Sequence, residues 1–100
     1  MPNLLSETEV AIQLAGRPGW SSAGSSISRT YRFRNFVEAF AFMTACALEA
    51  EKLNHHPEWS NVWATVDVRL TTHDAGGLTE LDFRLAERMD AVAATMGVAA

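Results

Sequence analysis

Hydrophobic and polar positions change period several times along this chain, and each change marks a predicted element. Ser6 and Glu9 stand at the spacing of a reciprocal helix cap, with Leu5 and Val10 placed to staple across it, so a helix is expected over about 7–15. Gly16 is expected to close it in a left-handed conformation, and Pro18 prevents its resumption, which makes "RPGWSSAGSS" a turn-rich connection. From Ile27 the chain alternates, with Ile27, Tyr31 and Phe33 on one side and Ser28, Thr30, Arg32 and Arg34 on the other, the period of a half-buried strand. Arg29 interrupts the inner face, as a position near a sheet edge would allow. Asn35, with Glu38 three residues on, caps a second helix whose stripe Phe36, Phe40, Met43, Ala47 and Ala50 is expected to face the core. Its remaining faces are also apolar, so a second packing surface is expected, such as another subunit.

The segment "NVWATVDVRLTTH" alternates again, setting Val62, Ala64, Val66, Val68 and Leu70 against Trp63, Thr65, Asp67, Arg69 and Thr71. It is longer than an ordinary strand, which allows a break into two. "DAGG" supplies a turn. Thr79 then caps a last helix, with Asp82 at its third position, Leu78 stapled to Phe83, and the stripe Leu81, Leu85, Met89, Val92, Met96 inward. Helices segregated onto an antiparallel sheet are the architecture this order suggests.

Composition narrows the class. A chain of 100 residues with 48% hydrophobic and 20% charged content suits one compact domain, residues 1–100. No apolar run reaches the length of a membrane span, and the start lacks the basic and apolar regions of a signal peptide, so a cytoplasmic protein without membrane attachment is expected. A net charge of -4 argues against direct contact with nucleic-acid phosphates. Cys46 is the lone cysteine and lies in an apolar helical stretch, so it reads as buried filler.

Chemistry concentrates in "EKLNHHPEW", where two of three histidines meet at a helix end. Singly, His55 or His56 has an ordinary role in capping helix carbonyls, and His73 in bonding a loop. Three imidazoles are enough for a catalytic zinc, but adjacent helical residues point about 100° apart and no metal-binding spacing is present. Nucleophilic catalysis lacks a serine or cysteine in a suitable turn. General acid–base chemistry suits imidazole, whose ordinary pKa lies near neutrality.

Glu51, His55-His56-Pro57, Trp63, His73 and Asp82, with three, five, nine and eight residues between them, together resemble the signature of the pterin-4a-carbinolamine dehydratases, also called dimerization cofactors of homeodomain proteins. "RTYRFRNFVEAFAFM", "NVWATVDVRLTTHDAGGLTELDFRLA" and the Gly19-Trp20 pair extend the likeness over roughly residues 19–96. The resemblance implies an α+β fold, a four-stranded antiparallel sheet with three helices on one face, assembled as homodimers or homotetramers. It implies loss of water from a pterin 4a-carbinolamine to give quinonoid dihydropterin, recycling the pterin of aromatic amino acid hydroxylases, with no cofactor and no metal. It places the active-site histidines at His55, His56 and His73, with His55 the leading acid–base group, His73 its partner and His56 a positioning group. Pro57, Trp59, Thr72, Asp74 and Ala75 are expected around the substrate, and Glu51, Trp20 and Asp82 in support. Glu51 either orients His55 or pairs on the surface, while Asp82 reads first as a helix cap. Leu81 stands where many relatives carry a basic residue. The competing reading is a non-catalytic protein-binding module, which would tolerate loss of all three histidines.

Overall fold

The structure, a computed structural model, describes residues 2–98; residues 1, 99 and 100 of the expected domain lie outside the described residues. Helix α1 (Glu7–Ala15) begins as predicted, with Glu9 N donating to Ser6 Oγ at 3.1 Å and Ser6 N to Glu9 Oε1 at 2.8 Å. Gly16 does not close it in a left-handed conformation: its φ is -89°, and its N–H simply turns back to Gln13 O. Four strands follow from the rest: β1 (Ser21–Ser22), β2 (Ile27–Arg32), β3 (Glu58–Val62) and β4 (Thr65–Leu70), all antiparallel in the order β1-β2-β4-β3. Helices α2 (Phe36–Leu53) and α3 (Glu80–Thr95) complete the fold.

The long alternating segment folds back on itself at Trp63 and Ala64, so Val62 pairs with Thr65 across a two-residue turn. Trp63 takes φ 48°, a conformation a bulky residue rarely adopts. Asn61 holds it there, its Nδ2 donating to Trp63 O at 3.0 Å and Thr65 O at 2.9 Å. The reversal corrects the expected alternation: Val62 lies on the open face, 78% exposed, because the turn resets the phase. Strand β3 also starts at Glu58, three residues before the alternating segment that begins at Asn61.

One face of the sheet carries Ile27, Tyr31, Val66, Val68 and Leu70, all buried against α2 and α3, with Leu5, Val10 and Leu14 packed on the same cluster. The other face is polar, with Thr30 donating to Asp67 and Arg69 paired to Glu58. Helix α2 presents Ala39, Phe42, Cys46 and Ala50 to the core, so of the expected stripe only Ala50 is fully buried: Phe36 and Phe40 are 47% and 55% exposed and Ala47 is exposed. A helix apolar nearly all round has no phase for periodicity to read, and packing against α3 and the sheet selects the row in which the large Phe42 alternates with small residues. Met43 is partly buried beside that row. In α3, Leu85 and Met89 are fully buried, whereas Leu81, Val92 and Met96 lie at the margin and Phe83, Ala86 and Ala93 fill the interior. Arg29 does point inward near an edge, since β1 pairs only with Ile27 and Ser28. It survives there by pairing with Asp90 at 2.8 Å and lying 4.5 Å over the Tyr31 ring.

Candidate active site

The end of α2 sets the site. Asn54 leaves the helix in the left-handed conformation (φ 49°, ψ 45°), which asparagine tolerates better than most residues. Asn54 N–H then reaches Glu51 O at 3.1 Å and His55 N–H reaches Ala50 O at 3.0 Å, the paired bonds of a Schellman ending. This tight reversal throws the His55 side chain inward and leaves the His56 ring in solvent. His55 therefore caps the helix with its backbone, and its ring is available for another partner.

That partner is Asp82. His55 Nε2 stands 2.6 Å from Asp82 Oδ1, with His55 8% exposed and Asp82 fully buried. Asp82 Oδ2 accepts from Thr79 N at 2.9 Å and from Thr72 Oγ1 at 2.8 Å. The capping box of α3 is therefore real, and the same carboxylate also orients the histidine. As a carboxylate Asp82 can only accept, so the network assigns the proton to His55 Nε2 and leaves Nδ1 of the neutral ring with its lone pair.

The other two histidines take different carboxylates. His56 Nε2 lies 2.5 Å from Glu51 Oε1, both exposed. The option in which Glu51 orients His55 is thus set aside in favour of a surface pair. His73 begins a short 3₁₀ turn (His73–Ala75) and its Nε2 is 3.5 Å from Glu58 Oε1. With three rings facing three separate carboxylates, no group of three or more His, Cys, Asp or Glu among the described residues is placed to hold a metal ion.

Around them, Pro57 and Ala75 are half-buried, Asp74 is exposed and Thr72 is buried. Trp59 is half-buried, packed on the core cluster opposite Val68, and lines a groove of about 480 Å³ over the open sheet face. Glu58 and Arg69 line the same groove, so its rim touches His73 through Glu58, although none of the histidines lines it. Trp63 sits in the turn at the far end of β3, a strand's length from the histidines.

Trp20 is placed elsewhere. Its Nε1 donates to Asp90 at 3.0 and 3.1 Å, and Asp90 also accepts from Arg29 and from Tyr31 Oη at 2.5 Å. Asp90 lies eight residues beyond Asp82 on α3, about 12 Å along the helix. Burial first, and then the hydrogen bond and charge of Asp90, hold the Tyr31 phenol far above its ordinary pKa. Burial likewise pushes the Cys46 thiol up to about 12. This second cluster pins the connection after α1 to the core.

A buried histidine–carboxylate pair, two exposed histidines and a helix end form an acid–base arrangement. The family model described as Pterin 4 alpha carbinolamine dehydratase matches residues 3–92. The chain belongs to that family. A Rhizobium leguminosarum bv. trifolii protein bearing the family's name is 59% identical over 96 residues, 94% of this chain and 95% of its own. One from Rhizobium johnstonii is 64% identical over 92 residues, covering 90% and 91%. The crystal structure of a transcriptional coactivator/pterin dehydratase from Brucella melitensis superposes with a TM-score of 0.89 at 45% identity, covering 91% of this chain and 99% of that one. A pterin dehydratase-like RuBisCO assembly factor of the alpha-carboxysome shares the fold alone, at TM-score 0.61 and 23% identity.

Within this dehydratase family frame, reading residues singly missed three features of the site. Asn54 is the left-handed helix stop, and asparagine one residue before the histidines was its signal. Glu58 faces His73, a pairing that no spacing announces. Asp82 serves His55 as well as its own helix, because the carboxylate has two oxygens and the cap occupies one.

Proposed function

We propose that this protein removes water from a pterin 4a-carbinolamine, as a hydro-lyase of the family to which it belongs, with His55 as its central proton-transfer group. The observation that carries the assignment of His55 is the buried Nε2 to Asp82 contact of 2.6 Å, which fixes the ring and its tautomer. Hydroxide is a poor leaving group, so the oxygen on C4a takes a proton as the C4a–O bond breaks, while N5 loses one and the C4a=N5 bond forms. One proton enters and one leaves, and water is the only other product. His55 Nδ1 accepts the proton from N5, and the resulting imidazolium is stabilised by Asp82. His73, exposed beside Glu58, supplies the proton to the departing oxygen, and His56 with Glu51 helps to position the ring system. Pro57, Trp59, Asp74 and Ala75 surround the substrate.

The entire chain, 1–100, acts as one dehydratase domain in the cytoplasm. No helix among the described residues is long and apolar enough to cross a membrane. The protein works as a homodimer or homotetramer, which the exposed Phe36, Val37, Phe40 and Leu48 of α2 support. Following carbinolamine decay spectroscopically with the purified protein tests the activity. His55→Ala is expected to lower the rate by about 10²-fold or more. A purely protein-binding module, the competing reading that the coactivator role named for the Brucella melitensis protein favours, would leave decay at its uncatalysed rate with or without the histidines.

A further inference from the structure

We infer that the Thr72 hydroxyl is a positioning group that holds His55 and, through the turn Thr72 begins, His73 in one arrangement, and that it donates no hydrogen bond to the substrate. Its hydroxyl is buried, with the residue 6% exposed, and lies 2.8 Å from both Asp82 Oδ2 and Thr79 Oγ1. The direction of each bond follows from donor counting. A carboxylate offers no hydrogen, so the single Thr72 hydroxyl hydrogen goes to Asp82; Thr79 must then donate its own to Thr72 Oγ1. Thr79 Oγ1 in turn accepts from Leu81 N at 3.3 Å. The chain runs one way, from the first turn of α3 through two hydroxyls into the carboxylate that orients His55. Because every hydrogen is committed, Thr72 has none left for a ligand.

The backbone of the same residue anchors the other histidine. Thr72 precedes the turn that begins at His73, and its carbonyl accepts from Ala75 N at 3.1 Å and Gly76 N at 3.0 Å, while its N–H donates to Gly77 O at 2.9 Å. Side chain and main chain of one residue thus join α2's end, α3's start and the His73 turn. An error of about 1 Å between an acid and a base costs up to about 10²-fold in rate, so a residue linking both groups has leverage on kcat without touching substrate.

This inference rests on the dehydratase reading for its kinetic arm alone. Thr72→Val keeps the volume and backbone and deletes the hydroxyl; Thr72→Ser keeps the hydroxyl. Carbinolamine dehydration is measured for both, alongside Ile27→Val, which loosens the core on β2 without touching the network, and the His55 ring is observed by 15N NMR in each. Expected are a kcat about tenfold lower in Thr72→Val with KM within about twofold of the parent, recovery in Thr72→Ser, normal kcat in Ile27→Val, and a changed Nε2–Nδ1 shift pattern at His55 in Thr72→Val alone. If Thr72→Val does not fold, Thr72→Cys, with a much weaker donor, replaces it. A raised KM with unchanged kcat would make Thr72 a substrate contact and overturn the inference, as would unchanged kcat and unchanged His55 shifts. Should the parent protein show no dehydration, the functional reading fails, and the His55 shifts still decide whether Thr72 positions the ring.

Discussion

Replacing Asp82 by asparagine changes one atom and should disable the site more than it harms the fold. The carboxylate accepts three hydrogen bonds, from His55 Nε2 at 2.6 Å, Thr72 Oγ1 at 2.8 Å and Thr79 N at 2.9 Å. An amide can accept at only one end. Its oxygen must stay with Thr79 N–H, because a backbone donor cannot reverse, so the NH₂ end meets His55 Nε2. To avoid donor facing donor, His55 shifts its proton to Nδ1, the atom proposed to take the substrate's proton. Two bonds to Oδ2 also lose their charge assistance, at about 1 kcal/mol each, so stability should fall by about 2 kcal/mol. Activity should fall by about 10²-fold or more. Asp82→Ala strands all three donors and should cost about 3–5 kcal/mol. Urea unfolding, dehydration kinetics and 15N NMR of His55 on the same three proteins provide the comparison. An Asp82→Asn protein with full activity and an unchanged His55 tautomer would refute the reasoning and leave Asp82 as a helix cap only.

Tyr31 is the chain's one tyrosine, so phenolate absorbance reports it alone. Its folded pKa is raised, so above the ordinary value near 10 the unfolded chain binds fewer protons and stability falls with pH, by about 1.4 kcal/mol per unit. This contribution is intact below pH 10, and Tyr31→Phe should remove that part of the alkaline slope; phenolate appearing near pH 10 in the folded protein would contradict it. Val37, Phe40 and Leu48 lie along one exposed stripe of α2, so Phe40→Glu should shift light scattering from an oligomer toward the 10.9 kDa monomer. A parent protein already monomeric at micromolar concentration would dispose of that interface.

What the sequence determined by itself was mostly local. The starts of all three helices were legible because Ser6, Asn35 and Thr79 act on backbone groups within three residues, and such chemistry needs no distant partner. The alternation of β2 and β4 is legible because successive side chains of a strand face opposite ways, and the histidine spacing points to the family without any geometry. The ends were harder. The conformations of Gly16 and Asn54 are not legible in the sequence because several conformations can end a helix, and the packing that follows selects among them.

Only the tertiary structure decided which side of α2 is inside, since an apolar circumference carries no phase until a sheet and a neighbouring helix press on one row. It alone turned Val62 outward by reversing the chain at Trp63. It alone decided which carboxylate each histidine receives. Asp82 is 27 residues from His55, and Glu58 is 15 residues before His73, separations at which spacing along the chain says nothing of distance in space. The α2 ending and the α3 cap meet because α2 and α3 pack side by side on one sheet face, and that packing makes a helix cap into a support for proton transfer.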